Sequence, residues 1–270
     1  GSVYAFVGAN GAGKTTTIKT LLNLLRPAGG RASVLGKDTR RLGAEDFREI
    51  GLVSEGLRMP LGMAVGEYLA YWRAFYPRWD AGVEGELVKQ FDLPLEWPLK
   101  HLSRGMRMKA LLVSVLAFRP RVLFLDEPFS GLDALVRDEL IQALLDRAEE
   151  MTVFISSHDL AEIESFASHA GYLEEGRLKF SEEMASLVSR FREVEVTLGS
   201  APVLPAHWPA AWLAAESAGA VVRFIDSDHD SARTAAEIGT LFPGVKAVEA
   251  RPMSLRAIFV ALARGKKKAA

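Results

Sequence analysis

The chain has 270 residues, 49% of them hydrophobic and 25% charged, and a formal net charge of −1. That is the profile of a globular protein long enough for a major and a minor domain, and the balanced charge argues against nucleic acid as its main partner. It contains no cysteine, hence no disulfide framework, and no run of about 18 apolar residues that would cross a membrane.

The first element is an apolar strand, Val3–Val7. It runs into Gly8-Ala9-Asn10-Gly11-Ala12-Gly13-Lys14-Thr15-Thr16, which fits G-x-x-x-x-G-K-[ST], and a helical stretch, 17–25, follows. Strand, glycine-rich loop and helix in this order form a phosphate cradle. Loop N–H groups turn inward on an anion, and the helix N-terminus adds its partial positive charge. Lys14 is predicted to reach the β- and γ-phosphates of a nucleotide, and the Thr15 hydroxyl to ligate Mg²⁺. Further strands are predicted at 50–53, 122–125 and 152–156, alternating with helices. This favours an α/β fold, a phosphate-loop core with a mostly parallel sheet. Between Pro60 and Phe118 the pattern turns almost wholly helical. Tyr68, Leu69, Trp72, Phe75 and Tyr76 recur at helical spacing there, as the core stripe of a helical insertion within the sheet domain.

Arg121 to Pro128 gives an apolar strand ending in two carboxylates. Asp126 is placed to hold Mg²⁺ through water, and Glu127, pointing elsewhere, to polarise the water that attacks the γ-phosphate. Just ahead of a helix predicted over 107–118, Leu102-Ser103-Arg104-Gly105 offers a hydroxyl and open N–H groups for a second anion contact. A hairpin around Glu175-Gly176 follows. The texture changes near residue 192, where strands at 194–198, 221–225 and 245–249 and helices at 210–217, 232–241 and 255–263 predict a small α+β domain. The expected boundaries are 1–190 and 191–265. Lys266-Lys267-Lys268 reads as a solvated tail.

Taken in order, the phosphate loop, Leu-Ser-x-Gly, Asp-Glu-Pro, Ser130-Gly131-Leu132-Asp133 and a lone His158 after a strand resemble the ATP-binding-cassette ATPases over roughly residues 1–185. The resemblance implies that Ser103 and Gly105 contact the γ-phosphate held by a second subunit's Lys14 loop. It makes Asp133 a bridge between the two sites and His158 the switch that grips the γ-phosphate. Where the family usually carries Gln, this chain offers Glu55, implied to approach Mg²⁺ and the attacking water. Relatives carry strands ahead of the loop with an aromatic residue for adenine; nothing here precedes Gly1, so the sequence reads as a fragment. The C-terminal part resembles the accessory domain of bacterial exporter-type cassettes.

The implied function is an ATPase subunit with ATP and Mg²⁺ as cofactors, closing as a homodimer, or as a heterodimer with a related ATPase. It would power a separate integral membrane permease from the cytoplasmic face of the cell membrane. Exposed aromatics such as Tyr71 and Phe75 are candidates for the permease contact. A soluble mechanochemical ATPase acting on nucleic acid or ribosomes is the alternative, but it calls for a long coiled coil or a second cassette. A small-molecule kinase or GTPase leaves the Ser103 motif unexplained.

Overall fold

The computed structural model describes residues 1–54, 56–159 and 163–265. They form two compact units that divide between Ser181 and Glu182. Among the described residues no helix is long and apolar enough to cross a membrane. The Lys266–Lys268 tail and Glu55 lie outside the described residues.

The first unit opens with β1 (Ser2–Val7) and α1 (Lys14–Leu21). The helix starts three residues earlier than the sequence suggests and stops four sooner. Gly13, at φ 110°, turns the chain straight into it, and left-handed Asn23 follows its end. A two-residue ribbon, β2 (Ser33–Val34) with β3 (Lys37–Asp38), precedes β4 (Ile50–Ser54). Three helices follow: α2 (Val65–Arg73), α3 (Ala81–Gln90) and α4 (Arg104–Leu116). Asp80 caps α3 by accepting from the Gly82 and Val83 N–H groups, which holds its carboxyl below the usual range. The expected aromatic core stripe holds only in part, because α2 ends at Arg73 and Phe75 lies beyond it, outside the core. Tyr68 and Leu69 are buried, Tyr76 stacks on Phe118, and Tyr71 and Phe75 stay exposed.

The unit continues with β5 (Val122–Asp126), α5 (Ala134–Leu145), β6 (Thr152–Ser157), β7 (His169–Glu174) and β8 (Arg177–Glu183). The sheet order is β4-β5-β6-β1-β7-β8, and the five strands from β4 to β7 run parallel. Such strands are covered on both faces, so they are apolar almost throughout: Val3, Ala5, Phe6, Leu123, Phe124, Leu125, Val153 and Ile155 are all buried. Register then fixes the working edge. Asp126 lies level with Ser156, and Val7 with Ser157. The carboxyl ends of β1, β5 and β6 therefore meet at one place, where open α/β sheets bind ligands. Glu175 and Gly176, both at positive φ, make the tight turn between β7 and β8.

The second unit comprises α6 (Met184–Arg190), β9 (Arg192–Leu198), β10 (Trp212–Ala218), β11 (Val221–Asp226), α7 (Ser231–Leu241), β12 (Val245–Pro252) and α8 (Leu255–Gly265). Its antiparallel sheet runs β10-β11-β9-β12. One sequence expectation fails here: the helix expected over 210–217 is replaced by the strand Trp212–Ala218. The alanines favour a helix, but Trp212 is drawn under the sheet to stack on Phe224, ring centroids 3.7 Å apart. Pairing with β11 completes the strand across an irregularity between Leu213 and Glu216. Tertiary packing overrides propensity at this point. Val194, Val196, Val222, Ile238 and Phe242 close the core around that pair.

Phe224→Ala removes the ring on which Trp212 rests. It should destabilise the second unit by about 3–5 kcal/mol, read as a lowered denaturation midpoint in tryptophan fluorescence.

Candidate active site

The loop after β1 is shaped by close approach. A Cβ on Gly8 would stand 2.4 Å from the Leu173 carbonyl oxygen, so only glycine lets the loop lie against β7. From the hairpin turn, the Gly176 N–H donates to the Ala12 carbonyl at 3.1 Å. Ala12 itself is buried against Phe6 and Leu173. Asn10, Gly11 and Thr16 are exposed on the loop's open side.

Lys14 is 5% exposed, and its ammonium donates to the Gly8 carbonyl at 2.7 Å and the Ala9 carbonyl at 3.2 Å. Its counter-charge is Glu127, Nζ to Oε1 3.0 Å. The other Glu127 oxygen, Oε2, meets His158 Nδ1 at 2.7 Å. Glu127 is brought to this position by a left-handed backbone, φ 52°, immediately after the end of β5. That conformation costs a non-glycine residue about 1–2 kcal/mol. It is held by the Glu127 N–H donating to Ser156 Oγ at 3.1 Å.

Asp126 is buried, and its Oδ1 accepts from Ser156 Oγ at 2.7 Å and Thr15 Oγ1 at 3.1 Å. One strand end thus sends two successive carboxylates to different tasks. Asp126 goes to the hydroxyls of Thr15 and Ser156, Glu127 to Lys14 and His158. Among the described residues no group of three or more His, Cys, Asp and Glu side chains forms a metal cage. A hydroxyl beside a single carboxylate still suits Mg²⁺, which keeps much of its water and draws other ligands from a substrate's phosphates. Thr15 and Asp126 are the residues that would hold it. A cleft of about 510 Å³ opens beside them, lined by Ile18, Lys19, Leu52, Ser54 and Glu127 among others.

A second cluster gathers at the start of α4. Ser103 caps the helix, its Oγ accepting from the Met106 N–H at 3.2 Å. The cap explains why α4 begins at Arg104 and not at 107. Gly105 packs so closely on α5 that a Cβ would lie 3.0 Å from Val136, and the Arg104 guanidinium rests against Gly131. Asp133 caps α5 through the Val136 N–H at 3.0 Å. The Ser103 and Asp133 motifs are therefore neighbours in this unit, while Lys14, Thr15, Asp126, Glu127 and His158 form a cluster of their own. Ser156, which bonds the Asp126 carboxylate and the Glu127 backbone N–H, was not singled out in the sequence. A serine ending an apolar strand two residues before His158 was the available signal.

Residues 1–130 match the ABC transporter family. A bacitracin transport ATP-binding protein of Bacillus licheniformis is 33% identical over 182 residues, covering 66% of this chain and 60% of the relative. A fluoroquinolones export ATP-binding protein of Mycobacterium tuberculosis is 29% identical, with 66% and 60% covered. The solved ATP-binding subunit of an ABC transporter superposes with a TM-score of 0.63 at 26% identity, over 70% of this chain and 81% of that one.

The first unit is an ABC transporter ATP-binding domain. The match spans about 60% of the length of these curated relatives. A sulfate/thiosulfate import protein of Bradyrhizobium diazoefficiens stands at 32% identity, over 66% of this chain and 55% of that protein. Identity alone therefore does not separate export from import.

Ser156→Ala leaves Asp126 and the Glu127 N–H each short of one partner in this cassette. Binding of a fluorescent ATP analogue should weaken about tenfold with Mg²⁺ present, on the scale of one lost buried hydrogen bond. It should change little in EDTA, and titrations in the two buffers give the comparison.

Proposed function

We propose that the chain is the ATP-hydrolysing subunit of a membrane transporter, working as a dimer with two ATP molecules between facing subunits. The observation that carries this reading is the buried Lys14 ammonium paired to Glu127 beside the loop. A nucleotide's phosphate oxygens are the natural replacement for that carboxylate, as anions more strongly charged than it and cradled by the loop N–H groups.

Once phosphate takes over the charge of Lys14, Glu127 is released to accept a proton from the attacking water. His158, already on Oε2, keeps the carboxylate aimed. Mg²⁺ bound at Thr15 and Asp126 would offset the charge on the phosphates and hold them in line. Glu55, were it to reach the same water, would add a second carboxylate to this edge. Ser103, Gly105 and Asp133 serve the second subunit's nucleotide in this scheme. The first N–H groups of α4 supply donors that the helix itself leaves open.

Closure on ATP and release after hydrolysis give a two-state cycle able to drive a partner. That partner is an integral membrane permease, which holds the chain peripherally at the cytoplasmic face. Support for the docking place comes from an apolar cleft of about 350 Å³, lined by Leu24, Leu57, Tyr68, Trp72, Tyr76 and Leu111, with exposed Tyr71 and Phe75 on the same helical insertion. Export is our reading of direction, from the sequence resemblance of the second unit and the bacitracin and fluoroquinolone relatives. The net charge of −1 gives the chain no overall electrostatic attraction for nucleic acid.

Glu127→Gln should keep ATP binding and lower hydrolysis by at least about 10²-fold, the scale of a lost general base. Adding Mg-ATP should change its sedimentation from that of the nucleotide-free chain, as the two nucleotide sites close. Near-normal turnover would sink the assignment of Glu127. Ser103→Arg should abolish that ATP-induced change while the chain still binds ATP; equal loss of both would place Ser103 in its own chain's site or make it simply structural.

A further inference from the structure

The sheet of the second unit ends in β12, and all eight residues of that strand, Val245–Pro252, are exposed. An outer strand presents a row of backbone donors and acceptors to any chain that approaches. Proteins usually blunt such edges by shortness, bulges, proline or charge. Its ends are guarded by a register shift between Val245 and Ala247 and by Pro252, and along its length it also carries the charged Lys246, Glu249 and Arg251. Between those guards, Ala247–Arg251 pairs in regular step with β9. Val248 is 45% exposed although its register partner Val196 is fully buried.

The charges on this strand are arranged in a particular way. Across the ladder, Glu249 faces Glu195 and Arg251 faces Glu193. Arg223 on β11 already takes Glu195 at 2.7 Å. Glu249 thus has a like-charged neighbour on its inner side, a destabilising placement. Its cation is Arg251, two residues along the same strand, at 2.5 Å. Glu249 and Arg251 share a face of the strand, and their order becomes complementary to itself when the strand is reversed. An antiparallel copy with Ala250 on the two-fold axis sets each Glu249 opposite the other copy's Arg251.

We propose that β12 is a self-pairing edge, through which two copies of this chain join their sheets antiparallel about a two-fold axis at Ala250. Such a contact is isologous and closes on itself, so taken alone it yields a dimer and no fibre. A peptide of unrelated sequence would satisfy the backbone alone, whereas the second copy also brings an arginine to each Glu249. The pairing requires no nucleotide and stands apart from the ATP-driven closure.

The absence of cysteine makes the test direct. Ala250→Cys in the full chain places two thiols opposite each other across the axis. Opposed residues of an antiparallel pair have Cβ atoms about 4.5–5.5 Å apart, within small adjustments of what a disulfide spans. Ala218→Cys, at the exposed end of β10 on the sheet's other edge, reports random collision. Under mild oxidation without nucleotide, the Ala250→Cys chain should form linked dimer at least about tenfold faster than the control, and ATP should not change the ratio. Adding Glu249→Arg should bring the rate down to the control, and adding Arg251→Glu to that variant should restore it. Equal rates for the two cysteine chains would overturn the proposal. So would failure of the double reversal to restore linking. Because linking is read without nucleotide, its failure leaves the ATP-driven closure of Glu127→Gln to be judged by sedimentation.

Discussion

A buried ammonium must be paired, and most of the first unit serves that requirement at Lys14. The group is 5% exposed, where an uncompensated charge would cost several kcal/mol. Two carbonyls of its own loop take part of the charge, and Glu127 supplies the rest. To bring Glu127 there the chain adopts a left-handed backbone one residue past β5, and Ser156 on the adjoining strand holds that backbone in place. The parallel register of β5 and β6 sets Ser156 level with Asp126, so one hydroxyl donates to the Asp126 carboxylate and accepts from the Glu127 backbone N–H. Sheet topology, local strain and charge pairing are here a single arrangement.

In this arrangement the carboxylate on Lys14 competes with any incoming anion. Net affinity for a nucleotide is then a difference between two ion pairs and not the strength of one. His158, bonded to the other oxygen, couples that exchange to the end of β6. A residue with a catalytic assignment thereby also takes part in the balance between empty and filled sites.

How much of this was legible in the sequence depends on how far apart the cooperating residues lie. The phosphate loop, the Asp126-Glu127 strand end and the Ser103 cap were legible because each uses a spacing of a few residues tied to one strand or helix. The parallel core strands were legible from their unbroken apolar runs. β10 was not, because Ala-rich 210–217 has helical propensity and Trp212–Ala218 becomes a strand only through the stacking of Trp212 on Phe224 and pairing with β11. The Lys14–Glu127 pair and the double role of Ser156 join residues 113 (127 − 14) and 30 (156 − 126) positions apart. No local pattern encodes such contacts. Likewise, the early start of α1 follows from the positive φ of Gly13, which the motif permits without dictating.

The hairpin beneath the phosphate loop gives that distance a temporal meaning. Gly8 lies on the Leu173 carbonyl, and Ala12 receives the Gly176 N–H, so the floor of the loop comes from residues about 164 positions downstream (176 − 12). Chains emerge from the ribosome N-terminus first, at roughly 5–20 residues per second. The nine-residue motif leaves early, yet its final contacts wait for β7 and its turn to be made. For roughly ten seconds or more of synthesis, the nascent chain displays the complete nucleotide-binding motif without the surface that shapes it. Binding in this protein is acquired late, close to the moment when the first unit is whole.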